Sequence, residues 1–355
     1  MTDTTPDRTL WAPRLSTGDP GLIARLKRAA GAPGNFHTLS VAVVSGGTAR
    51  FAALGTEHGD AREPATEHTA FEIGSATKVL TGMLLAGLAE RGTVAPDTTV
   101  AELLPSRFTG RPAGRATLVE LASHRSGLPR LHHRSLPVSL RDAYRVHRGR
   151  DPYRGIDRDS FLQRAAAVTG PAPAGGFDYS NLGMSLLGHA LAAAAHPGHG
   201  YGELLERELL APLGMDRTRV VATEEERLPD PRALPHDRDG RPVQPWISEG
   251  YAPSGSGVWS TAGDLARLLL AVIGTTAPGA DAARPRFEAD GPNRIGLGWL
   301  TLTRDGQEVT WHNGGTGGSR SFIGFDRRTG RGAVVLANTG HDVDGIGAHL
   351  VSAGE

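Results

Sequence analysis

The chain reads as an α+β protein, an antiparallel sheet flanked by helices and built from both ends of the sequence, with a mostly helical region inserted between. Three observations carry this. Strand-like alternation and short apolar runs occur over 37–54 and return over 296–337. Between about 95 and 250 the apolar spacing is mostly helical, broken by proline and glycine. No internal repeat or heptad pattern competes with that order.

In chain order, residues 1–19 read as a flexible leader. PGLIARLKRAAG over 20–31 places Leu22, Ile23 and Leu26 on one side of a helix and stops at Gly31. Residues 37–44 and 49–54 are strands joined by Ser45-Gly46-Gly47, a hairpin signal. After a loop rich in charge and threonine, Phe71-Glu72-Ile73-Gly74 leads into a helix that starts at Ser75 and runs to about Arg91, before Gly92. Helices follow at 117–123, 160–168, 181–195 and 201–210. Residues 227–246 carry many prolines and charges and predict a surface loop. Ser260-Thr261 predicts the N-cap of a helix bearing Asp264, Leu265, Leu268 and Leu269. A Pro/Gly/Ala/Asp-rich connection over 275–293 precedes four strands, at 296–302, 308–312, 321–326 and 332–337. The expected organisation is a single domain over 20–350. An α/β subdomain would take about 20–70 with 275–350, and a helical subdomain about 75–270.

Composition narrows the chemistry. The 355 residues are 39% hydrophobic and 21% charged, with a formal net charge of zero, so no global basic field recruits nucleic acid or an anionic membrane. The absence of cysteine excludes disulfides, thiolate metal sites and a cysteine nucleophile. MTDTTPDRTLWAPRL shows no basic segment followed by an apolar one, and apolar runs such as 190–195 are too short to cross a bilayer. The expectation is therefore a cytoplasmic protein with no membrane or nucleic-acid partner. His132-His133, His196 with His199, and His236 with Asp237 and Asp239 lack helical ligand spacing and read as solvated loop residues. No metal or cofactor is expected. No G-x-S-x-G elbow supports a Ser-His-Asp hydrolase.

Three motifs point to serine chemistry. Ser75-Ala76-Thr77-Lys78 sets a hydroxyl and an amine on one helical face, beside the buried pattern Val79, Leu80, Met83 and Leu84. Lys78 is one of only two lysines, with Lys27, in a chain that otherwise uses arginine. Arginine cannot act as a neutral base, whereas a buried lysine loses the stabilisation of its charge and becomes one. Gly74 permits a close backbone approach. Taken alone, the pair also reads as an N-cap serine and a solvated lysine. Tyr179-Ser180-Asn181 follows a Pro/Gly-rich loop and opens a helix. Its tyrosine can relay a proton, and its asparagine can hydrogen-bond a substrate carbonyl or orient Lys78. Trp311-His312-Asn313-Gly314-Gly315 ends a strand in glycines that let a backbone lie against a substrate. There Gly315 and Ser75 can supply oxyanion-hole N–H groups, and His312 can orient or polarise the substrate.

Together, S-x-x-K, Y-x-N and H-x-G resemble the class C β-lactamase-like, penicillin-binding-protein-type serine enzymes. The stretches at 121–129 (LASHRSGLP), 212–215 (PLGM) and 257–265 (GVWSTAGDL) are similar too, and the resemblance spans roughly residues 20 to 345. It implies a serine β-lactamase-like fold with the active site between sheet and helical subdomain. It also implies Ser75 as acylated nucleophile, Lys78 and Tyr179 exchanging its proton, and Asn181, His312, Gly314 and Gly315 facing the substrate. His312 stands where β-lactamases usually carry the lysine of K-T-G. A substrate carboxylate thereby loses an expected cation, which shifts the expectation toward the esterase, D-aminopeptidase and transacylase branches. The leading expectation is an intracellular hydrolase of a small-molecule ester, amide or short peptide. A transacylase or peptide cyclase of a natural-product pathway is the alternative, and a non-turnover acyl-binding or sensor protein the reading from another class. No oligomeric state follows from the sequence.

Overall fold

The computed structural model describes residues 15–29, 36–57, 63–132, 136–169, 174–304 and 306–352. Most of the expected leader, Gly31, His133 and residues 171–173 lie outside them. On the N-terminal side come β1 (Ser16–Gly18), α1 (Pro20–Ala29), β2 (Leu39–Ser45) and β3 (Thr48–Leu54). The β2–β3 hairpin closes at the Ser45↔Thr48 pair through Gly46 (φ 57°) and Gly47 (φ 78°), the left-handed pair that a two-residue hairpin turn requires. The expectation of a leader through residue 19 fails at its end: β1 pairs antiparallel with β3, Ser16 opposite Leu54, because the outer edge of β3 offers unpaired backbone groups.

The middle of the chain holds β4 (Phe71–Glu72), α2 (Thr77–Glu90), α3 (Leu118–Ala122), α4 (Arg158–Ala166) and α5 (Asn181–Ala195). A segment at Tyr201–Leu205 continues as a π turn over Glu206–Leu210. Strands β5 (Arg219–Val220) and β6 (Val258–Ser260) join β4 in a three-stranded sheet ordered β4-β6-β5. Then come α6 (Ala262–Ile273), β7 (Phe287–Glu288), β8 (Asn293–Ile295), β9 (Leu300–Arg304), β10 (Gln307–Gly315), β11 (Arg320–Asp326), β12 (Arg331–Ala337) and α7 (Asp344–Ser352).

Nine strands form one antiparallel sheet in the order β1-β3-β2-β12-β11-β10-β9-β8-β7, so the two ends of the chain meet where β2 pairs with β12. Successive side chains alternate between its faces. Val41, Val43 and Val335 pack with Leu26 of α1 and Leu350 of α7. Ala42, Val44, Val334 and Leu336 pack with Leu265, Leu268 and Leu269 of α6 and continue into the helical core. Helix α6 therefore belongs to the sheet layer, although the expected helical subdomain, about 75–270, took in most of it. It packs on β2, β12, β11 and β3. Helix α2 is apolar nearly all round and runs through the centre, buried from Thr77 to Leu88.

The segment at 227–246 is a loop as expected but not simply a surface one. It crosses the end of the sheet, with Ala233 and His236 buried and the His236 N–H donating to Gly318 O at 3.0 Å. His236 stacks on His37 with ring centroids 3.9 Å apart, so the reading of it as a solvated loop residue is corrected: apolar contact and a backbone bond replace its water. No helix among the described residues is long and apolar enough to cross a membrane.

Candidate active site

The nucleophile turn is built by backbone crowding. Gly74 (φ 49°) turns β4 into a 3₁₀ segment, Gly74–Ala76, that continues as α2. A side chain at Gly74 would meet the Gly315 backbone at 2.7 Å, and one at Gly314 would meet Ile73 O at 1.9 Å. The end of β10 therefore lies directly on the Ser75 turn, which only glycines at these positions allow. Ser321 Oγ donates to Ile73 O at 2.6 Å and fixes the same contact from β11.

One helical turn on, Lys78 is fully buried. Its Nζ donates to Ser75 Oγ at 3.0 Å and to Ser254 O at 2.8 Å. Burial pulls the Lys78 amine well below its usual range, and the Arg130 guanidinium adds to this. Ser75 thus caps no helix, and Lys78 is not solvated. Tyr179 sits across from the pair with its ring 4.9 Å from Lys78 Nζ. Burial pushes its phenol up to about 12, against a hydrogen bond to Ser75 and the field of Arg130. Ser180 caps α5, accepting from Gly183 N at 2.8 Å and donating to Pro129 O at 2.7 Å, which pins Tyr179 and Asn181 on either side of it. Asn181 is nearly buried, and its Oδ1 has no partner among the described residues. Among the described residues, Lys78 Nζ is held by Ser75 and Ser254 rather than by Asn181.

His312 lies on β10 with its ring 6.2 Å from that of Tyr179. Burial, then the Lys78 charge, pull it down to about 3, so it is neutral at pH 7. Nδ1 lies 2.5 Å from Asn313 O, a geometry that places the proton on Nδ1 and leaves Nε2, buried and without a partner among the described residues, as an acceptor. The sequence reading did not single out His124. It is held at φ 57°, accepts from Ser180 N through Nδ1 at 3.2 Å, and lies 4.5 Å from the Tyr179 ring.

Ser75, Tyr179, Gly314 and Gly315 line a cleft of about 550 Å³, whereas Lys78, Asn181 and His312, expected at the same site, are buried behind that lining. Its charged lining, Arg130, Arg320, Asp290, Asp342 and Asp344, was not picked out from the sequence. Arg130 follows directly on the 121–129 stretch, a signal that was present, whereas Asp342 and Asp344 arrive only through the fold. Asn313 Nδ2 donates to Asp344 Oδ2 at 2.6 Å, and burial raises that carboxyl to about 6. No group of three or more metal-ligating side chains gathers among the described residues.

The match to known proteins follows the same outline. The Beta-lactamase family matches residues 23–352. A β-lactamase of Pseudomonas fluorescens is 24% identical over 347 residues, covering 84% of this chain and 88% of that protein. The D-alanyl-D-alanine-carboxypeptidase/endopeptidase AmpH of Escherichia coli is 26% identical over 328 residues, 84% of this chain and 78% of that one. A human β-lactamase-like protein is 31% identical over 265 residues, 70% of this chain, which spans about half of that protein's length (48%). Among solved structures, a class C β-lactamase from Rhodobacter sphaeroides superposes with a TM-score of 0.75 at 22% identity, covering 94% of this chain and 98% of that one. At that identity the likeness establishes the fold.

Proposed function

This chain belongs to the β-lactamase family of serine hydrolases, and from that premise we propose that it hydrolyses a small ester or amide through an acyl-Ser75 intermediate. The observation that supports this most is the 3.0 Å contact between Ser75 Oγ and a buried lysine amine. Uncharged Lys78 takes the Ser75 proton as Oγ attacks the substrate carbonyl carbon. The Ser75 and Gly315 N–H groups receive the oxyanion. Collapse breaks the bond to the leaving group, which collects a proton passed from Lys78 by the Tyr179 phenol. Water then enters the leaving-group side, gives its proton back along the same path, and releases the acid. His312, neutral and buried beside Tyr179, helps shape the substrate side of the site without offering it a charge. Cations in the cleft come instead from Arg130 and Arg320.

The test is the intact-protein mass after mixing with p-nitrophenyl acetate, alone and with an added amine, with Ser75→Ala as control. An acetyl adduct or ester turnover in the wild type only is expected, with acid as product. Amide formation in the same tubes would make the protein a transacylase. Adduct without release would make it an acyl-binding protein. Turnover retained in Ser75→Ala would remove Ser75 from the nucleophile role.

A further inference from the structure

Glu72 is a buried carboxyl, 1% exposed, three residues before the nucleophile, and the reaction above gives it no part. Its two oxygens face two different segments. Oε1 accepts from the Trp246 N–H at 2.8 Å, and Oε2 lies 3.1 Å from Thr316 Oγ1. Thr316 follows Gly315 at the end of β10, and Trp246 belongs to the loop that crosses the sheet. We propose that Glu72 is a positioning residue for the oxyanion hole, a carboxyl that ties the Ser75 turn, the Trp246 loop and the end of β10 into one unit. The proposal rests on the acyl-serine reading.

The surroundings indicate how the tie works. The next N–H along the loop, that of Ile247, is gripped by a second buried carboxyl, Asp151 Oδ2 at 2.8 Å, whose Oδ1 accepts from Tyr153 N. The Trp246 indole approaches Gly317, where a side chain would meet Nε1 at 3.1 Å, and packs edge-on against Tyr153. Eight residues on, Ser254 O receives Lys78 Nζ. One strap of chain therefore touches both the oxyanion strand and the base, and Glu72 fastens it at the first of these. The carboxyl accepts from the Trp246 N–H at one oxygen and from the Thr316 hydroxyl at the other, and on protonation it can turn the second contact round, because a hydroxyl also accepts. Burial raises Glu72 to about 8, with the Asp151 charge adding to this and the bonds from Trp246 and Thr316 opposing it. Asp151 in turn faces Arg145 and Arg154. Loss of the Glu72 proton places two negative carboxylates behind adjacent residues of one strap, in a medium that screens them poorly.

Two readouts test this. In the wild type the Ser75 acylation rate falls as pH rises through about 8. Hydrogen exchange of peptides covering 246–250 and 314–318, corrected for intrinsic pH dependence, loses protection over the same range. Glu72→Gln reproduces the protonated carboxyl, so it keeps acylation within about threefold of wild type at pH 7 and loses both changes with pH. Glu72→Ala lowers acylation about 100-fold, the cost of a misplacement near 1 Å. An alkaline fall that persists in Glu72→Gln, or protection in the wild type unchanged between pH 6 and 9, overturns the proposal. If the wild type forms no adduct at all, the acyl-serine reading fails, while the exchange data still decide whether Glu72 holds the strap.

Discussion

At the scale of single residues, the site depends on a lysine whose charge burial disfavours. Lys78 Nζ has Ser75 Oγ on one side and a backbone carbonyl on the other, and neither is a carboxylate that would restore the ammonium. A guanidinium at 78 would keep a charge where the mechanism needs a lone pair. Lys78→Arg is therefore expected to slow acylation by about 10²- to 10⁴-fold, the range of a lost general base, with far-UV circular dichroism unchanged. The sign of the pH dependence follows from the same group. Its folded pKa is depressed, so acylation in the wild type rises with pH through that value, and Lys78→Arg abolishes the rise. A variant with near-wild-type rates would leave Lys78 a structural role only. His312 acts differently. Its Nε2 contributes an acceptor rather than a charge, so His312→Ala is expected to shift KM and substrate preference more than the yield of Ser75 adduct.

At the scale of elements, the arrangement is set by backbones pressed together. Helix α2 brings Gly82 against the connection before β9, where a side chain would meet Leu297 O at 1.9 Å. On an exposed helix, Gly→Ala gains about 1 kcal/mol from propensity. Here the clash is with backbone, which cannot swing away, and overpacking costs about 1–3 kcal/mol. Gly82→Ala is expected to lower the urea unfolding free energy by about 1 kcal/mol net of the propensity gain, and to shift Lys78 enough to slow acylation; an increase in stability would show that the connection yields. These contacts explain what the sequence reveals and what it hides. The Ser75 turn, the Tyr179 junction and the β10 glycines are local patterns, and α5 runs over 181–195 as its apolar spacing predicts, with Ser180 as cap. Helix α7 escapes that reading because DGIGAHLVS is short, carries two glycines and becomes a helix only against β11 and β12. The partners of Lys78 and Glu72 escape it too. Ser254 offers a carbonyl and Trp246 an N–H, groups that every residue carries, and only the fold brings them near.

At the scale of the whole molecule, the buried titratable groups set how the fold responds to acid. Burial is the largest cause of depression for five histidines: His37, His124, His189, His236 and His312. Unfolding lets each take up a proton below its ordinary value of 6.5, which the folded protein refuses until about 4 at His37 and His189 and about 3 at His312. The stability they contribute is present above pH 6.5 and is lost as pH falls through the folded values. Buried acids work in the other direction. Asp151 and Asp344 hold protons up to about 6 and Glu72 up to about 8, so their stability is lost as pH rises through those values. Over the mildly acidic range the two sets therefore oppose each other, the histidines raising stability with pH and the acids lowering it. His189 isolates one step of that slope. It is fully buried on α5, its Nε2 reaches Gly250 O at 3.0 Å, and its pKa falls from 6.5 to about 4. That depression is worth about 3 kcal/mol between pH 7 and pH 4. His189→Gln keeps a donor for Gly250 but cannot titrate. Urea unfolding at pH 7 and at pH 4.5 is therefore expected to show the wild type losing about 2–3 kcal/mol more than the variant. Equal losses in the two proteins would mean that His189 already accepts its proton in the folded state.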